Sequence, residues 1–362
     1  MPERINDDTR IVIVRQHACR FLMRFTGAGP HRGELVVGTH RFPVDATVAA
    51  IALPDAPPMV WAYEDPAEIG NPADERVCID RFAHDGVFLS PDIKIDDWPA
   101  RKQLVASAPF VPVVIPTDAA DAPAVVTRWA AALTETNQQG VAIPIDEPHS
   151  AKDRERVRSL ANLVHAADPT HKLRFAVTDD PHPDYGDAID LYITLHAHLA
   201  DRFPRWTYNG APPRAGSMVV DAETPGTRTW GWIAWRYDIP TWYVWDALYW
   251  HDRYHKKRAL DLADAVSFDD GEDHGNLDGV LAMPGCQRTL RLAQLRRGLQ
   301  DRALLDLATE CKPEDTAALA KQMIPRALTD AKTGDPSWPR DEAAWEAARQ
   351  KLLDLASACA RP

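Results

Sequence analysis

Between residues 60 and 245 short apolar runs recur in a regular order. They are Val60–Tyr63 (VWAY), Gly86–Leu89 (GVFL), Phe110–Ile115 (FVPVVI), Gly140–Ile145 (GVAIPI), Leu173–Thr178 (LRFAVT), Asp190–Leu195 (DLYITL), Arg205–Tyr208 (RWTY) and Thr241–Trp245 (TWYVW). Between several of them, segments such as Val125–Thr136 and Ala151–Ala167 repeat apolar residues at three- and four-residue spacing, the period of a helix buried on one face. Strand and helix alternating over eight strands predict an α/β fold, a parallel (β/α)8 TIM-like barrel, with a doubly wound open sheet as the main rival. Ahead of this block Ile11–Val14 (IVIV), Glu34–Gly38 (ELVVG) and Ala46–Leu53 (ATVAAIAL) stand between Gly and Pro turns and predict a small antiparallel unit. The prolines of Leu53–Pro58 (LPDAPP) predict a linker. Beyond about residue 287 the pattern is helical to the end, with Pro336–Arg340 (PSWPR) dividing two helix groups. The expected organisation is thus a β-rich unit over 1–57, a barrel over 58–310 and a helical extension over 311–362 that covers the barrel. No period of 20 to 50 residues recurs, which excludes a solenoid.

Charge narrows the partners. The 362 residues carry 41 Lys and Arg against 53 Asp and Glu, a net charge of −12. A phosphate polymer or anionic membrane surface would meet net repulsion, so nucleic acid is not an expected partner; neutral or cationic small ligands and carbohydrate remain. No stretch of about 18 apolar residues occurs, so no membrane span is expected. The opening residues hold only a four-residue apolar stretch preceded by acids, which does not read as a signal peptide and leads to a cytoplasmic expectation. The five cysteines (Cys19, Cys78, Cys286, Cys311, Cys359) are odd in number, widely spaced and never CxxC, and are read as unpaired thiols rather than a disulfide framework or zinc site.

The sharpest chemical signal is Asp146-Glu147-Pro148, two adjacent acids closing the fourth apolar run. In a barrel of this kind function gathers on the loops after the strands' C-terminal ends. Strict alternation of side chains lapses where the backbone leaves a strand, so both carboxylates can face one substrate. One ionised carboxylate raises its neighbour's proton affinity, and a carboxyl kept protonated near neutrality can act as a general acid, which is what glycoside cleavage needs. An N-cap role before a helix is the competing reading. Aromatic density is the second signal: residues 206–250 hold seven of the 12 tryptophans and four of the eight tyrosines. Barrel interiors favour Val, Ile and Leu, so these aromatics are not all core filler, and aromatic faces beside acids suit sugar rings. Trp230, Trp232 and Trp235 are expected to pack a helix onto the barrel. Trp245, Tyr249 and Trp250 follow the last strand and are expected at the site. His251 and His255 share a helical face but lack a third ligand, and a solvated or packing role is expected of them. No GxSxG, P-loop or GxGxxG occurs, and no metal or cofactor is called for.

These motifs, taken in order, resemble the catalytic domain of glycoside hydrolase family 123, including the related DUF4091 proteins. Asp146-Glu147-Pro148 resembles the family's acid pair, and Ala167–Asp179 (ADPTHKLRFAVTD) its following helix end and strand. Arg228–Trp250 resembles its R-x-x-G-W-x-x-W-x-Y block and W-x-x-x-x-W strand. Gly275–Gly285 resembles its G-x-G-x-L-x-Y-P-G loop, with Met283 in the tyrosine position, and Arg288–Leu305 its S-x-R-L-x-x-L-R-x-G-x-E-D helix, with Thr289 and Gln300 replacing serine and glutamate. The resemblance spans about residues 55–310 and reads the front β segment as the shortened remnant of a sandwich domain. It implies a β-N-acetylhexosaminidase-like enzyme that cleaves terminal β-linked N-acetylhexosamine, N-acetylgalactosamine above all, by substrate-assisted retention. Glu147 would then be the general acid/base, and Asp146 would orient the 2-acetamido group. Tyr208 would donate to the acetamide oxygen, and Asp221, Arg228, Trp245, Tyr249 and Trp250 would bind substrate. The resemblance also allows a periplasmic or secreted location. Two other readings stay open: a catalytically silent carbohydrate-binding barrel, and a hydrolase of a sugar lacking the acetamide in which Asp146 is a conventional nucleophile.

Overall fold

All eight apolar runs become strands of one parallel sheet in the computed structural model, which describes residues 27–53, 59–199, 205–219, 225–250 and 279–359. Before the sheet, β1 (Gly29–Val37) and β2 (His40–Val48) pair antiparallel from Gly29↔Val48 to Val37↔His40, turning at Gly38, whose φ of 60° suits a residue without Cβ. The sheet strands are β3 (Val60–Tyr63), β4 (Val87–Ser90), β5 (Val111–Pro112), β6 (Gly140–Ala142), β7 (Leu173–Val177), β8 (Leu191–Leu195), β9 (Arg205–Tyr208) and β10 (Trp242–Val244). They run in the order β4-β3-β10-β9-β8-β7-β6-β5, the cyclic order of a barrel rather than the reversal of a doubly wound sheet. The two ends of that order meet through a parallel bridge, Ile93↔Val113, in which Ile93 N–H donates to Pro112 O at 3.0 Å and Val114 N–H to Ile93 O at 2.9 Å.

Helices α1 (Pro66–Ile69) and α2 (Pro72–His84) follow β3, α3 (Trp98–Arg101) follows β4, α4 (Ala122–Thr136) follows β5, α5 (Ala151–Ala167) follows β6 and α6 (Thr229–Arg236) follows β9. Helix α5 occupies the predicted range, and its start is a capping box: Ser150 Oγ accepts from Asp153 N–H while Asp153 Oδ2 accepts from Ser150 N–H. The strict alternation lapses in the fifth and sixth connections. One 3-10 turn, Pro183–Tyr185, joins β7 to β8, and no helix joins β8 to β9 among the described residues.

After the barrel, β11 (Ala282–Met283) and β12 (Gln287–Arg288) form a small antiparallel pair, followed by α7 (Leu290–Thr309), α8 (Pro313–Met323) and α9 (Glu342–Ser357). Helices α6 and α7 cross in near-backbone contact. A Cβ on Gly231 would overlap the carbonyl of Gly298, and one on Gly298 the carbonyl of Arg228. Only glycine fits at that crossing.

The barrel interior departs from the aliphatic expectation. Trp61, Phe88, Phe110, Trp206 and Tyr243 fill it as an aromatic cluster, with ring centroids 5.2 Å apart for Trp61–Phe110, 4.9 Å for Phe110–Trp206 and 4.6 Å for Trp61–Tyr243. Each such pair adds roughly 0.5–1.5 kcal/mol beyond the area it buries. Density of aromatics therefore did not by itself mark a site, because Trp206 is core. Trp230 packs helix α6 onto the barrel as expected, stacked on Trp242 of β10 at 4.5 Å, whereas Trp232 turns to the later helices, edge-on to Trp345 of α9 at 5.7 Å, and Trp235 is partly buried.

The reading of the cysteines as unpaired is overturned. Cys78 of α2 is bonded to Cys286 between β11 and β12, and Cys311 beyond α7 to Cys359 beyond α9, with Cα atoms 5.3 and 5.5 Å apart. Their separations of 208 and 48 residues explain why spacing hid them. Cys19, Ile11–Val14, residues 54–58 of the expected linker, His251 and His255 lie outside the described residues.

Candidate functional site

The acid pair sits where the chain leaves β6. Its geometry depends on one backbone feature: Glu147 has φ 41°, the left-handed region that a side-chain-bearing residue occupies at a cost on the order of 1 kcal/mol or more. On a strand, adjacent side chains point to opposite faces; a left-handed residue breaks that alternation. Both carboxylates are exposed, and each is tied to the end of another strand of the barrel. Thr178, just past β7, donates from Oγ1 to Asp146 Oδ1 at 2.6 Å and accepts from Glu147 N–H at 2.7 Å. Tyr208, closing β9, donates its phenol proton to Glu147 Oε1 at 2.8 Å.

Burial first, and then the Glu147 carboxylate beside it, push the Tyr208 phenol far above its ordinary range, so it stays a donor at any working pH. Tyr208, expected to donate to a substrate acetamide oxygen, thus sits beside the acid pair with its proton directed to Glu147.

Further groups at the same strand ends were not singled out from the sequence. Tyr243 of β10 is pushed well above the usual phenol value by burial and then by Asp92, Asp146, Tyr63 and Asp246, which places its hydroxyl among carboxylates. Asp92, just after β4, keeps an open face yet is crowded enough that desolvation lifts its carboxyl up to about 7. After β7, Asp179 accepts from the Tyr185 hydroxyl, and Asp180 pairs with His198 beyond β8 at 3.2 Å. Glu64, at the end of β3, is fully buried; burial and the adjacent Glu75, itself held by Arg101, raise its carboxyl up to about 9, so it is neutral at pH 7. The signal that could have found Asp92 and Asp180 was position alone, an acid just past an apolar run.

His196 is structural. Burial lowers it to about 4, and its neutral ring accepts from Ala211 N–H through Nε2 at 3.2 Å.

The remaining predicted binding residues divide. Trp245 and Tyr249 follow β10 with ring centroids 5.4 Å apart, both half-buried. Trp250 is buried and donates through its indole to Ala282 O at 2.8 Å, which makes it a packing residue. Arg228 is a correction: it is 4% exposed and its guanidinium is spent on Asp301 (2.9 Å), Glu346 (2.6 Å) and the carbonyl of Trp345, over whose ring it lies. Asp301 also accepts from Trp232 Nε1 at 3.0 Å and pairs with Arg349. Arg228 therefore fastens α6 to α7 and α9 rather than reaching a ligand. Asp221 lies outside the described residues. No group of three or more His, Cys, Asp or Glu suited to a metal ion occurs among the described residues, and no helix of the described residues is long and apolar enough to cross a membrane.

No protein-family model matches the chain, and no curated protein does. Among solved structures the chain is similar to a family 123 glycoside hydrolase from Clostridium perfringens studied for glycolipid glycan hydrolysis: 10% identity over 92% of this chain and 76% of that one, TM-score 0.44. It is also similar to a chitinase from Chromobacterium violaceum, with 11% identity, 67% and 98% coverage and TM-score 0.33. A sialic acid aldolase from Ruminococcus gnavus follows, with 10% identity, 83% and 98% coverage and TM-score 0.30. At these scores none of the three bears on what this chain does.

Proposed function

We propose that the chain is a glycoside hydrolase that removes terminal β-linked N-acetylhexosamine, N-acetylgalactosamine above all, by substrate-assisted retention. The observation that carries this reading is the left-handed turn at Glu147, which sets two adjacent carboxylates at the end of one barrel strand, one tied to Thr178 and the other to Tyr208. The ordered motifs that resemble the family 123 catalytic domain support it.

In this mechanism the substrate's acetamide oxygen attacks C1 as the bond from C1 to the leaving oxygen breaks, and Glu147 gives that oxygen its proton. Asp146 accepts the acetamide N–H and balances the positive charge that grows on the resulting oxazolinium ring. Glu147, now a carboxylate, takes a proton from water as that water opens the ring at C1, which restores the acid and retains the anomeric configuration. No enzyme nucleophile is needed. Two cystine pairs are at home in an oxidising compartment, which favours action in a periplasmic or secreted space over the cytoplasmic expectation.

The test is hydrolysis of matched chromogenic β-glycosides, N-acetylgalactosaminide and N-acetylglucosaminide against galactoside and glucoside. The expected outcome is cleavage confined to the acetamido sugars, with Glu147→Gln and Asp146→Asn each lowering kcat by about 10²–10⁴-fold. Near-wild-type rates in both variants would overturn the reading. Cleavage of the plain glycosides would make Asp146 a conventional nucleophile, and sugar binding without any turnover would make the barrel a lectin.

A further inference from the structure

We propose that Thr178 is the positioning residue of the acid pair: its hydroxyl commits one oxygen of Asp146, leaves the other to the substrate amide, and pins the turn that carries Glu147. The proposal rests on the glycosidase reading above. A hydroxyl owns one proton and two lone pairs. Glu147 N–H, 2.7 Å away, occupies a lone pair, so the single Thr178 proton is directed to Asp146 Oδ1 at 2.6 Å. Hydrogen bonds to a carboxylate of this length are the strong kind. Among the described residues the bond to Asp146 is the one at Oδ1, and the residue is exposed, so Oδ2 keeps its lone pairs for a ligand.

The Thr178 side chain is nearly sealed, the residue being 5% exposed, and it directly follows β7, the neighbour of β6 in the sheet. Its oxygen therefore references both acids to the barrel wall rather than to a loop. One atom serves the carboxylate of residue 146 and the backbone of residue 147, so losing it displaces the two acids together. A displacement of about 1 Å at a reacting centre costs on the order of 10²-fold in rate.

The experiment compares Thr178→Val, which keeps the shape and removes the hydroxyl, with Thr178→Ser, which keeps the hydroxyl. Both are measured in the full chain against the chromogenic N-acetylgalactosaminide and N-acetylglucosaminide. T178V is expected to lower kcat about 10²-fold while KM moves less than about threefold, and T178S to return kcat to within about tenfold of wild type. Amide exchange at Glu147, read by NMR, supplies a measure that needs no turnover: protected in wild type and T178S, fast in T178V. A wild-type kcat in T178V, a T178S as slow as T178V, or unchanged exchange at Glu147 in T178V would each overturn the proposal. Should T178V melt early, Thr178→Ala read against T178S carries the same comparison. A wild type that hydrolyses no glycoside sinks the proposed function instead, and the exchange measurement still decides whether Thr178 holds the turn.

Discussion

At the scale of single residues, carboxyls at the strand ends divide into two kinds. Asp146 and Glu147 are open to solvent and held by donors, whereas Glu64 is sealed beside Glu75 and keeps its proton up to about 9 instead of the ordinary 4.5. Between those two values the folded chain holds a proton that the unfolded chain has lost, so Glu64 makes stability fall as pH rises through that window. Glu64→Gln, neutral at every pH, should therefore melt above wild type at pH 8, by roughly 2–4 °C for each kcal/mol relieved, with the gap closing toward pH 5. Thermal melts across pH check this, and a gap that does not vary with pH would rule out titration of Glu64. The acid pair could be seen in the sequence because two adjacent acids after an apolar run are a local pattern. Thr178 could not, because threonine commonly closes a strand and its partners lie 31 and 32 residues away, brought together only by the pairing of β6 with β7.

At the scale of elements, the same motifs that suggested a family turn out to be mostly joinery. Gly231 and Gly298 permit the crossing of α6 and α7, and Arg228 with Asp301 locks it. A sequence motif marks constrained positions without saying whether packing or chemistry constrains them, and for Arg228 the answer was packing. Arg228→Met should cost about 3–5 kcal/mol because it leaves Asp301 short of a buried partner. The folded variant should keep kcat and KM close to wild type; a raised KM with unchanged melting temperature would return Arg228 to the binding site.

All eight strands were legible as apolar runs since parallel strands are buried on both faces. Their lengths were not: Phe110–Ile115 narrows to the ladder at Val111–Pro112, beyond which Val113 and Val114 keep only single backbone bonds, to Val141 O and Ile93 O. The pair β11 and β12 left no signal at all, for two residues a strand carry no period.

At the scale of the whole molecule, two covalent ties join parts far apart in sequence. In the chain-entropy account a cross-link stabilises more when it closes a longer loop. Replacing Cys78 and Cys286 with serine should then lower stability by about 1 kcal/mol more than replacing Cys311 and Cys359, given separations of 208 and 48 residues. Denaturant titrations of the two double variants, with and without reductant, would show it. Equal loss from both pairs would mean that local packing, not loop length, sets their worth.

The first of these ties has a topological consequence. Strands β4 to β10 all lie between Cys78 and Cys286, so the bond closes most of the barrel into a covalent ring. A protease that nicks any one loop within that ring opens it but releases nothing. The nicked protein keeps its full mass, and keeps both halves of the strand-end site on one molecule, until a reductant cuts the second link.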